Sequence, residues 1–337
     1  MLYHRPIVMT DAARAPGALT LAGGWGWFDR VGERARGADA RLIPAGALPD
    51  AMRHALTAPR PDLCGLPLDR PRIMGILNVT PDSFSDGGRF LDPDEALEQG
   101  RALIDAGADI LDIGGESTRP GARFVPEEEE IARTVPVIAA LRADGLRTPI
   151  SIDTRKAAVA QAALDAGADM VNDVSALGFD PAMAGLVAAR AVPVCLMHAQ
   201  GAPETMQDNP RYGDVVADIF DALGAMRDRA VAAGIAKDRI LLDPGIGFGK
   251  TIGHNLALIR SLSVFHGLGC ALLLGASRKS FIGAVGGTAA GGRMLGSITV
   301  ALAGVAQGAQ VVRVHDVAQT RQALRLWQAL AGQEASG

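Results

Sequence analysis

The chain has 337 residues, of which 48% are hydrophobic and 4% aromatic, and it carries a formal net charge of −4. Without a basic tract or a stacking surface it does not resemble a nucleic-acid-binding protein, and no uncharged apolar run is long enough to span a bilayer. The first residues lack a signal-peptide pattern and the three cysteines are widely separated, so we expect a soluble cytoplasmic protein with reduced thiols and no membrane partner.

Residues 1–62 differ in composition from the rest of the chain. They contain two of the three tryptophans, Trp25 and Trp27, a cluster of glycines and little periodicity. We expect an N-terminal extension of unknown role, which covers the bottom of the following domain, extends an interface or is partly disordered. The two tryptophans indicate at least one packed contact. Residues 63–333 are predicted to form one domain, and residues 334–337 a tail.

From about residue 71, short runs rich in Val, Ile and Leu alternate with Ala-rich segments of helical period. This alternation is typical of βα units and a parallel sheet. Eight such runs follow one another, at 72–79, 109–114, 149–154, 169–174, 192–197, 239–244, 271–276 and 309–314.

The boundaries of the helices can also be predicted. Gly107, Gly167 and Gly308 each stand where a helix ends and a left-handed residue is needed before the next strand. At the other end, Asp92 followed by proline and acidic residues is typical of a helix start. The acidic run 127–130 is interpreted as the first turn of a helix, where the dipole favours negative charge, and not as a patch that steers substrate.

Eight strands alternating with helices fit a (β/α)8 TIM barrel, and a doubly wound open sheet is the competing fold. Polar residues distinguish the two, because they end or follow nearly every apolar run. Such side chains meet at one mouth only if the sheet closes, and active sites of barrels lie at that mouth. The strand-end residues are Asn78, Asp112, Asp153, Asn172, His198, Asp243, Ser277 and His315. We therefore predict a barrel with an N-terminal extension.

Two segments rich in Gly, Pro, Ser, Thr and Asp follow the first two strands, NVTPDSFSDGG at 78–88 and GGESTRPGA at 114–122. Polar loops of this kind over a barrel mouth are candidates for lids that close on a substrate. Both segments resemble the signature segments of dihydropteroate synthases. Further matching segments follow in order, SIDTRK, NDVSAL, LMHAQGAPETMQ, LDPGIGFGK, GASRKSFIG and RVHDV, so the resemblance covers about residues 62–333.

The resemblance implies a transferase of folate biosynthesis that joins a dihydropterin diphosphate to p-aminobenzoate and releases pyrophosphate with the help of Mg²⁺. Sulfonamides imitate the amine in this family. It also implies a site for each part of the reaction. The pterin-binding residues would be Asp153, Asn172, Met197, Asp243, Phe248, Lys279 and Arg313. The diphosphate would be bound by Asn78, Arg313 and His315, with Asn78 also a ligand of the metal.

The amine would contact Phe84, Thr118, Arg119, Pro120, Ser277 and Lys279, and a pair between Asp86 and Arg119 would close the lid. By the same resemblance, catalytic roles would fall to Asp153, Asp243, Lys279, Arg313 and His315. Carboxylates suit the N–H donors of a reduced pterin, an amide both donates and accepts, and a lysine suits its carbonyl oxygen. For His315 alone, a structural pair with Asp316 is the alternative.

The glycine-rich stretch GIGFGKT at 245–251 is not a phosphate-binding loop, because Pro244 stands where the first glycine should be. By resemblance it forms the pocket wall, with Phe248 and Lys250 near the pterin. Two other functions are left open, a pterin-binding methyltransferase domain and a paralogue that binds pterin without turning it over. Members of the family are often homodimers, but the sequence identifies no interface.

Overall fold

The computed structural model describes residues 1–79, 93–117, 123–201 and 206–333, with Pro93 and Asp94 described only as backbone. A closed barrel of eight parallel strands forms its centre. The strands are β6 (Arg72–Asn78), β7 (Ile110–Gly114), β8 (Ile150–Asp153), β9 (Met170–Asp173), β10 (Val194–Met197), β11 (Ile240–Asp243), β12 (Ala271–Leu274) and β13 (Val311–Val314). Each lies within two residues of a predicted run, and β13 pairs with β6 to close the sheet. The predicted (β/α)8 barrel is confirmed, and the open sheet is excluded.

Helices follow the strands and cover the outside of the barrel. They are α2 (Pro93–Asp105), α3 (Glu127–Ala143), α4 (Ala157–Asp165), α5 (Met183–Arg190), α6 (Val215–Ala232), α7 (Ile252–Arg260), α8 (Ser280–Gly286), α9 (Met294–Val305) and α10 (Val317–Leu330). As predicted, Gly107, Gly167 and Gly308 have φ of +101°, +113° and +89° just beyond α2, α4 and α9, a conformation that favours glycine. The acidic run 127–130 forms the first turn of α3.

Side chains of the strands alternate between two apolar layers. Outward residues such as Leu111 and Ile113 pack against the helices, and inward residues such as Met74, Ile110 and Cys195 fill the lower half of the barrel. Leu63 and Leu68, from the segment before β6, join this inner layer. The bottom of the barrel is therefore closed by residues that begin just after the extension.

The extension is a small folded unit with its own core. It comprises a three-stranded antiparallel sheet in the order β1 (Leu2–Pro6), β4 (Arg30–Ala35), β5 (Arg41–Pro44), a hairpin of β2 (Leu19–Thr20) and β3 (Trp27–Phe28), and helix α1 (Asp50–Thr57). It packs on the flank of the barrel, where the Trp25 indole donates to Val305 O at 2.9 Å and Ser263 Oγ donates to Pro6 O at 2.8 Å. Trp25 and Trp27 are both buried, so the packed contact predicted for the tryptophans exists.

Candidate active site

The carboxyl ends of the barrel strands carry polar side chains at inward positions. Asp153 on β8 pairs in register with Asn172 on β9, and Met197 on β10 pairs with Asp243 on β11. All four are buried. On β9 and β11 the inward residues one layer deeper, Met170 and Leu241, are apolar, so the polarity of these strands changes from the packed bottom to the mouth. On β8 the corresponding residue is the buried Ser151. This change concentrates charge at the end of the barrel where active sites form.

A single arginine binds two buried carboxylates, that of Asp153 and that of Asp112 on β7. Arg313 Nε donates to Asp112 Oδ2 at 2.5 Å, and its Nη2 donates to Asp153 Oδ2 at 2.6 Å. The Asn172 amide also donates to Asp112 Oδ2, at 3.2 Å. The other oxygens of the two carboxylates, Asp112 Oδ1 and Asp153 Oδ1, are buried and accept no hydrogen bond from the described residues. Because unsatisfied buried acceptors are costly, two such oxygens at one mouth indicate a place for a ligand with N–H donors.

Burial shifts the protonation of this cluster. It raises the pKa of Asp153 to about 7, against the opposing effect of Arg313, and the neighbouring Asp112 raises it further. Burial also raises the pKa of Asp243, against the effect of Lys279 and of the hydrogen bond from Gly245 N to its Oδ1. Perturbed groups that share a cleft are typical of functional sites. The protonation of these carboxylates can therefore change when a cation or a hydrogen-bond donor binds.

Lys279, just before α8, supplies a second cation to the site. Its ammonium lies 4.0 Å from the centroid of the Phe248 ring and donates to Ile246 O. Burial lowers the pKa of Lys279 to about 7, although Asp243 favours the charged form. The position of the ammonium is thus fixed by an aromatic ring and a backbone carbonyl, both from the segment that follows β11.

That segment, the 245–250 loop, is shaped by glycines. Gly245 and Gly249 have φ of +67° and +61°, and a Cβ at these positions would lie 1.9 Å from His198 O and 2.4 Å from Gln200 O. Glycine is thus required both by conformation and by close approach. The loop ends at Lys250, a buried lysine whose ammonium lies 3.1 Å from His198 Nδ1 and donates to Phe248 O at 2.9 Å. Burial lowers the pKa of Lys250 to about 7.

His315 and Ser277 lie together at the ends of β13 and β12. His315 Nδ1 is 3.0 Å from Ser277 Oγ. Asp316 instead pairs with Arg278, whose Nε donates to it at 3.1 Å. The Asp316 carboxylate thus pairs with Arg278, while the His315 ring contacts the Ser277 hydroxyl. The alternative structural pair of His315 with Asp316 stays a prediction.

The structure thus brings most predicted site residues to one mouth. The described members are Asn78, Asp153, Asn172, Met197, Asp243, Phe248, Ser277, Lys279, Arg313 and His315. Asn78 is the last residue of β6 and is half-buried. Phe84, Asp86, Thr118, Arg119 and Pro120 lie outside the described residues, so the predicted amine contacts and the predicted lid pair there are not tested.

Three features were missed by sequence reasoning. Asp112 was noted only as a strand-end residue, yet it is fully buried and binds both Arg313 and Asn172. Side chains alternate along a strand, so Asp112 lies on the same inward face of β7 as Gly114. That alternation was the signal available in the sequence. The close pairing of Lys250 with His198, and the use of Ile246 O by Lys279, depend on loop geometry, which no spacing in the sequence reveals.

Comparisons with known proteins agree with this geometry. The family described as "Pterin binding enzyme" matches residues 74–315. Dihydropteroate synthase of Neisseria meningitidis serogroup B is 51% identical over 269 residues, covering 78% of this chain and 94% of the relative. The Escherichia coli K12 enzyme is 45% identical over 264 residues, with 78% and 93% covered. The chain belongs to the dihydropteroate synthase family.

Solved structures of the family superimpose on the barrel. Xanthomonas albilineans dihydropteroate synthase with 4-aminobenzoic acid has a TM-score of 0.76 at 48% identity, covering 82% of this chain and 100% of that one. The Yersinia pestis enzyme in complex with a sulfonamide drug has a TM-score of 0.75 at 47% identity, with 79% and 96% covered. The matched range 74–315 includes every described site residue, whereas residues 1–62 lie outside it.

Proposed function

We propose that the protein condenses 7,8-dihydropterin-6-ylmethyl diphosphate with p-aminobenzoate to give 7,8-dihydropteroate and pyrophosphate. The observation that carries this proposal is the buried cluster of Asp112, Asp153, Asn172 and Asp243 beside Arg313 and Lys279. Relatives at 45–51% identity carry the name dihydropteroate synthase. The alternatives, a methyltransferase domain and a non-catalytic paralogue, have no such support.

The cluster suits the polar edge of a reduced pterin. Asp153 Oδ1 is a buried acceptor that a ring N–H would satisfy. Asp243 keeps one oxygen on Gly245 N, and the other would accept from the amino group and the adjacent ring N–H. The Asn172 amide both donates and accepts, and Lys279 would donate to the pterin carbonyl oxygen. Met197 and Phe248 would form the apolar walls of the pocket.

The reaction forms a bond between the amine nitrogen and the pterin methylene, while the bond from that methylene to the diphosphate oxygen breaks. The electron-rich ring delocalises the positive charge that develops as the diphosphate leaves. Asp153 and Asp243 would stabilise this cation. The amine attacks in its neutral form and loses a proton afterwards, so the site needs no strong base.

The leaving diphosphate requires positive charge at the same mouth. Arg313 uses Nε and Nη2 for the two carboxylates, and no described residue accepts a hydrogen bond from its Nη1. That nitrogen, together with His315, would bind the diphosphate. Binding would place Arg313 between the pterin carboxylates and the leaving group, where it compensates both negative charges.

Magnesium fits the donor set at this mouth. Within the described ranges, no three His, Cys, Asp or Glu side chains form a metal-binding group. Mg²⁺ needs few protein ligands, because it keeps several waters and binds phosphate oxygens. Asn78, half-buried at the end of β6, would provide one oxygen, and the diphosphate and waters would provide the others. Bound there, the ion would neutralise charge on the diphosphate.

The amine would lie above the pterin beside Ser277 and Lys279, with Phe84, Thr118, Arg119 and Pro120 as its further predicted contacts. A lid pair of Asp86 and Arg119 remains a prediction, as does a homodimer. No helix of the described residues is long and apolar enough to cross a membrane. A cytoplasmic location is also proposed, supported by three free cysteines, Cys64, Cys195 and Cys270.

Substitution of Asp243 tests the assignment of the pterin site. We expect Asp243→Asn to lower kcat/KM for the dihydropterin diphosphate about 10- to 100-fold, because a charged acceptor of two donors is lost. Asp165→Asn is the matched control, since Asp165 pairs with Arg190 at an exposed position outside the barrel. Steady-state assay of dihydropteroate formation gives both values. An Asp243→Asn variant with near-parental kcat/KM would contradict the assignment.

A further inference from the structure

The N-terminal extension reaches the catalytic end of the barrel at one point. Helix α6 follows β10, so its first residue, Val215, lies at the end of the barrel where the strands finish. Two arginines of the extension, Arg34 near the end of β4 and Arg36 just beyond the strand, contact this helix start. A segment outside the family match is therefore connected to the rim of the site.

The contacts are with the acidic residues that define the start of α6. Asp214 caps the helix by accepting from Ala217 N, and Arg34 donates to both of its carboxylate oxygens, at 2.5 and 2.9 Å. Gly37 N donates to the same carboxylate at 3.1 Å. Asp218 accepts from Asp214 N at 3.1 Å and also pairs with Arg36. Bidentate pairs of this kind fix orientation as well as distance.

The residues just before Asp214 contact the wall of the pocket. Tyr212, two positions earlier, donates its hydroxyl to Gly249 O at 2.9 Å. Gln207 donates its amide to Gly247 O at 2.6 Å. Both acceptors belong to the 245–250 loop and flank Phe248. The segment 206–214 thus joins the capped start of α6 to the backbone on either side of that aromatic ring.

The 245–250 loop in turn directs Lys279. A Cβ on Gly247 would lie 2.6 Å from Lys279 Cδ, which shows how closely the lysine runs along the loop. The ammonium ends on Ile246 O and on the Phe248 ring. Continuous contacts therefore lead from Arg34 to Lys279, through Asp214, the segment 206–214 and the loop.

We propose that Arg34 is a positioning residue of the pterin pocket, which holds the 245–250 loop in place through Asp214 and the segment 206–214. This role rests on the proposed function, since it concerns the binding of the dihydropterin substrate. Without the arginine, the Asp214 carboxylate would keep only its backbone donors, Ala217 N and Gly37 N, and the loop would sample other positions. Phe248 and Lys279 would then be less well placed for the pterin, and chemistry after binding would change little.

Two other anchors of the extension lie away from the start of α6. Arg5 donates to Arg260 O at 2.7 Å, at the carboxyl end of α7, which faces the bottom of the barrel. Trp25 likewise binds Val305 O at the carboxyl end of α9. A variant of Arg5 loosens the extension far from the site and therefore serves as a matched control for Arg34.

The test compares Arg34→Gln, Arg34→Lys and Arg5→Gln in the full chain. We expect Arg34→Gln to raise KM for the dihydropterin diphosphate roughly 3- to 10-fold with kcat nearly unchanged. Arg34→Lys restores the charge and should recover part of the effect, and Arg5→Gln should leave KM at the parental value. Amide hydrogen exchange of the folded variants should accelerate at residues 206–214 and 245–250 in Arg34→Gln, less so in Arg34→Lys, and not in Arg5→Gln.

Equal changes of KM in Arg34→Gln and Arg5→Gln would overturn the proposal, as would unchanged exchange at residues 245–250 in Arg34→Gln. A lower melting temperature of Arg34→Gln without a change in KM would also overturn it, because the arginine would then be merely structural. Absence of turnover in the unsubstituted protein would contradict the proposed function instead. The exchange measurement would still decide whether Arg34 holds the loop.

Discussion

Arg313 illustrates how single side chains control the charge of this site. It binds Asp112 and Asp153 at once. Although burial opposes the charged form, the two carboxylates raise the pKa of Arg313 overall. The guanidinium therefore stays charged at any pH at which the protein is folded. Asp153, Lys279 and Lys250 have pKa values of about 7, and of these Asp153 and Lys279 are the two assigned to bind the pterin.

These two groups predict a narrow pH optimum. Asp153 must be ionised to accept from the pterin, so kcat/KM should fall as pH drops below about 7 and the carboxylate is protonated. Lys279 must be charged to donate to the carbonyl, so kcat/KM should fall again as pH rises above about 7. Lys279→Arg should remove the alkaline limb, because a guanidinium keeps its proton.

The measurement is kcat/KM as a function of pH for the unsubstituted protein and the variant. The acidic limb, which belongs to Asp153, serves as the internal control and should remain in Lys279→Arg. An alkaline limb that persists at the same pH in the variant would show that another group is responsible for it.

The residue types at the mouth could be predicted from sequence, but their pairing could not. Polar residues end or follow the apolar runs in the sequence. This pattern correctly placed Asp153, Asn172 and Asp243 at the carboxyl ends of strands. The bond from Arg313 to Asp112 joins residues 201 positions apart. It depends on the closure of β13 against β6 and on the directions of two inward side chains, which the order of residues alone does not determine.

Among the structural elements, α3 and α4 are connected by a buried ionic cluster. Lys156, the residue before α4, binds Glu130 in the first turn of α3, and its ammonium is 3.1 Å from Glu116, beyond β7. Glu116 also accepts from Val125 N at 3.0 Å. The sequence predicted the acidic first turn of α3 from the helix dipole. It did not predict that Glu130 is turned inward and fully buried.

Breaking this cluster should destabilise the barrel. Lys156→Met removes the cation between Glu116 and Glu130, and we expect the free energy of unfolding to fall by about 3 to 5 kcal/mol, because a buried carboxylate is left uncompensated. Burial already raises the pKa of Glu130 in spite of Lys156.

Urea denaturation measures the effect, with Glu127→Gln as the control at an exposed position of the same turn. The double variant Lys156→Met with Glu130→Met should recover part of the loss. Equal stability of Lys156→Met and Glu127→Gln would show that the cluster does not contribute to stability.

At the scale of the whole molecule, the barrel and the extension differed in how far sequence could predict them. The barrel repeats one βα unit, so each strand, helix and turn glycine supports the interpretation of the next. The extension has short strands and no repeat. Its antiparallel sheet pairs β1 with β4, although the first strand ends at residue 6 and the other begins at residue 30. The position of the extension on the flank depends on single contacts, such as that of Trp25 with Val305 O.

One central claim follows from the charges at the mouth and from the match of the barrel to dihydropteroate synthases. It is that this protein couples release of pyrophosphate to attack by an aromatic amine. Steady-state pyrophosphate release from dihydropterin diphosphate, with and without p-aminobenzoate, tests it most directly. We predict release that requires the amine and equals the dihydropteroate formed. Release at the same rate without the amine, or no release with both substrates present, would contradict the claim.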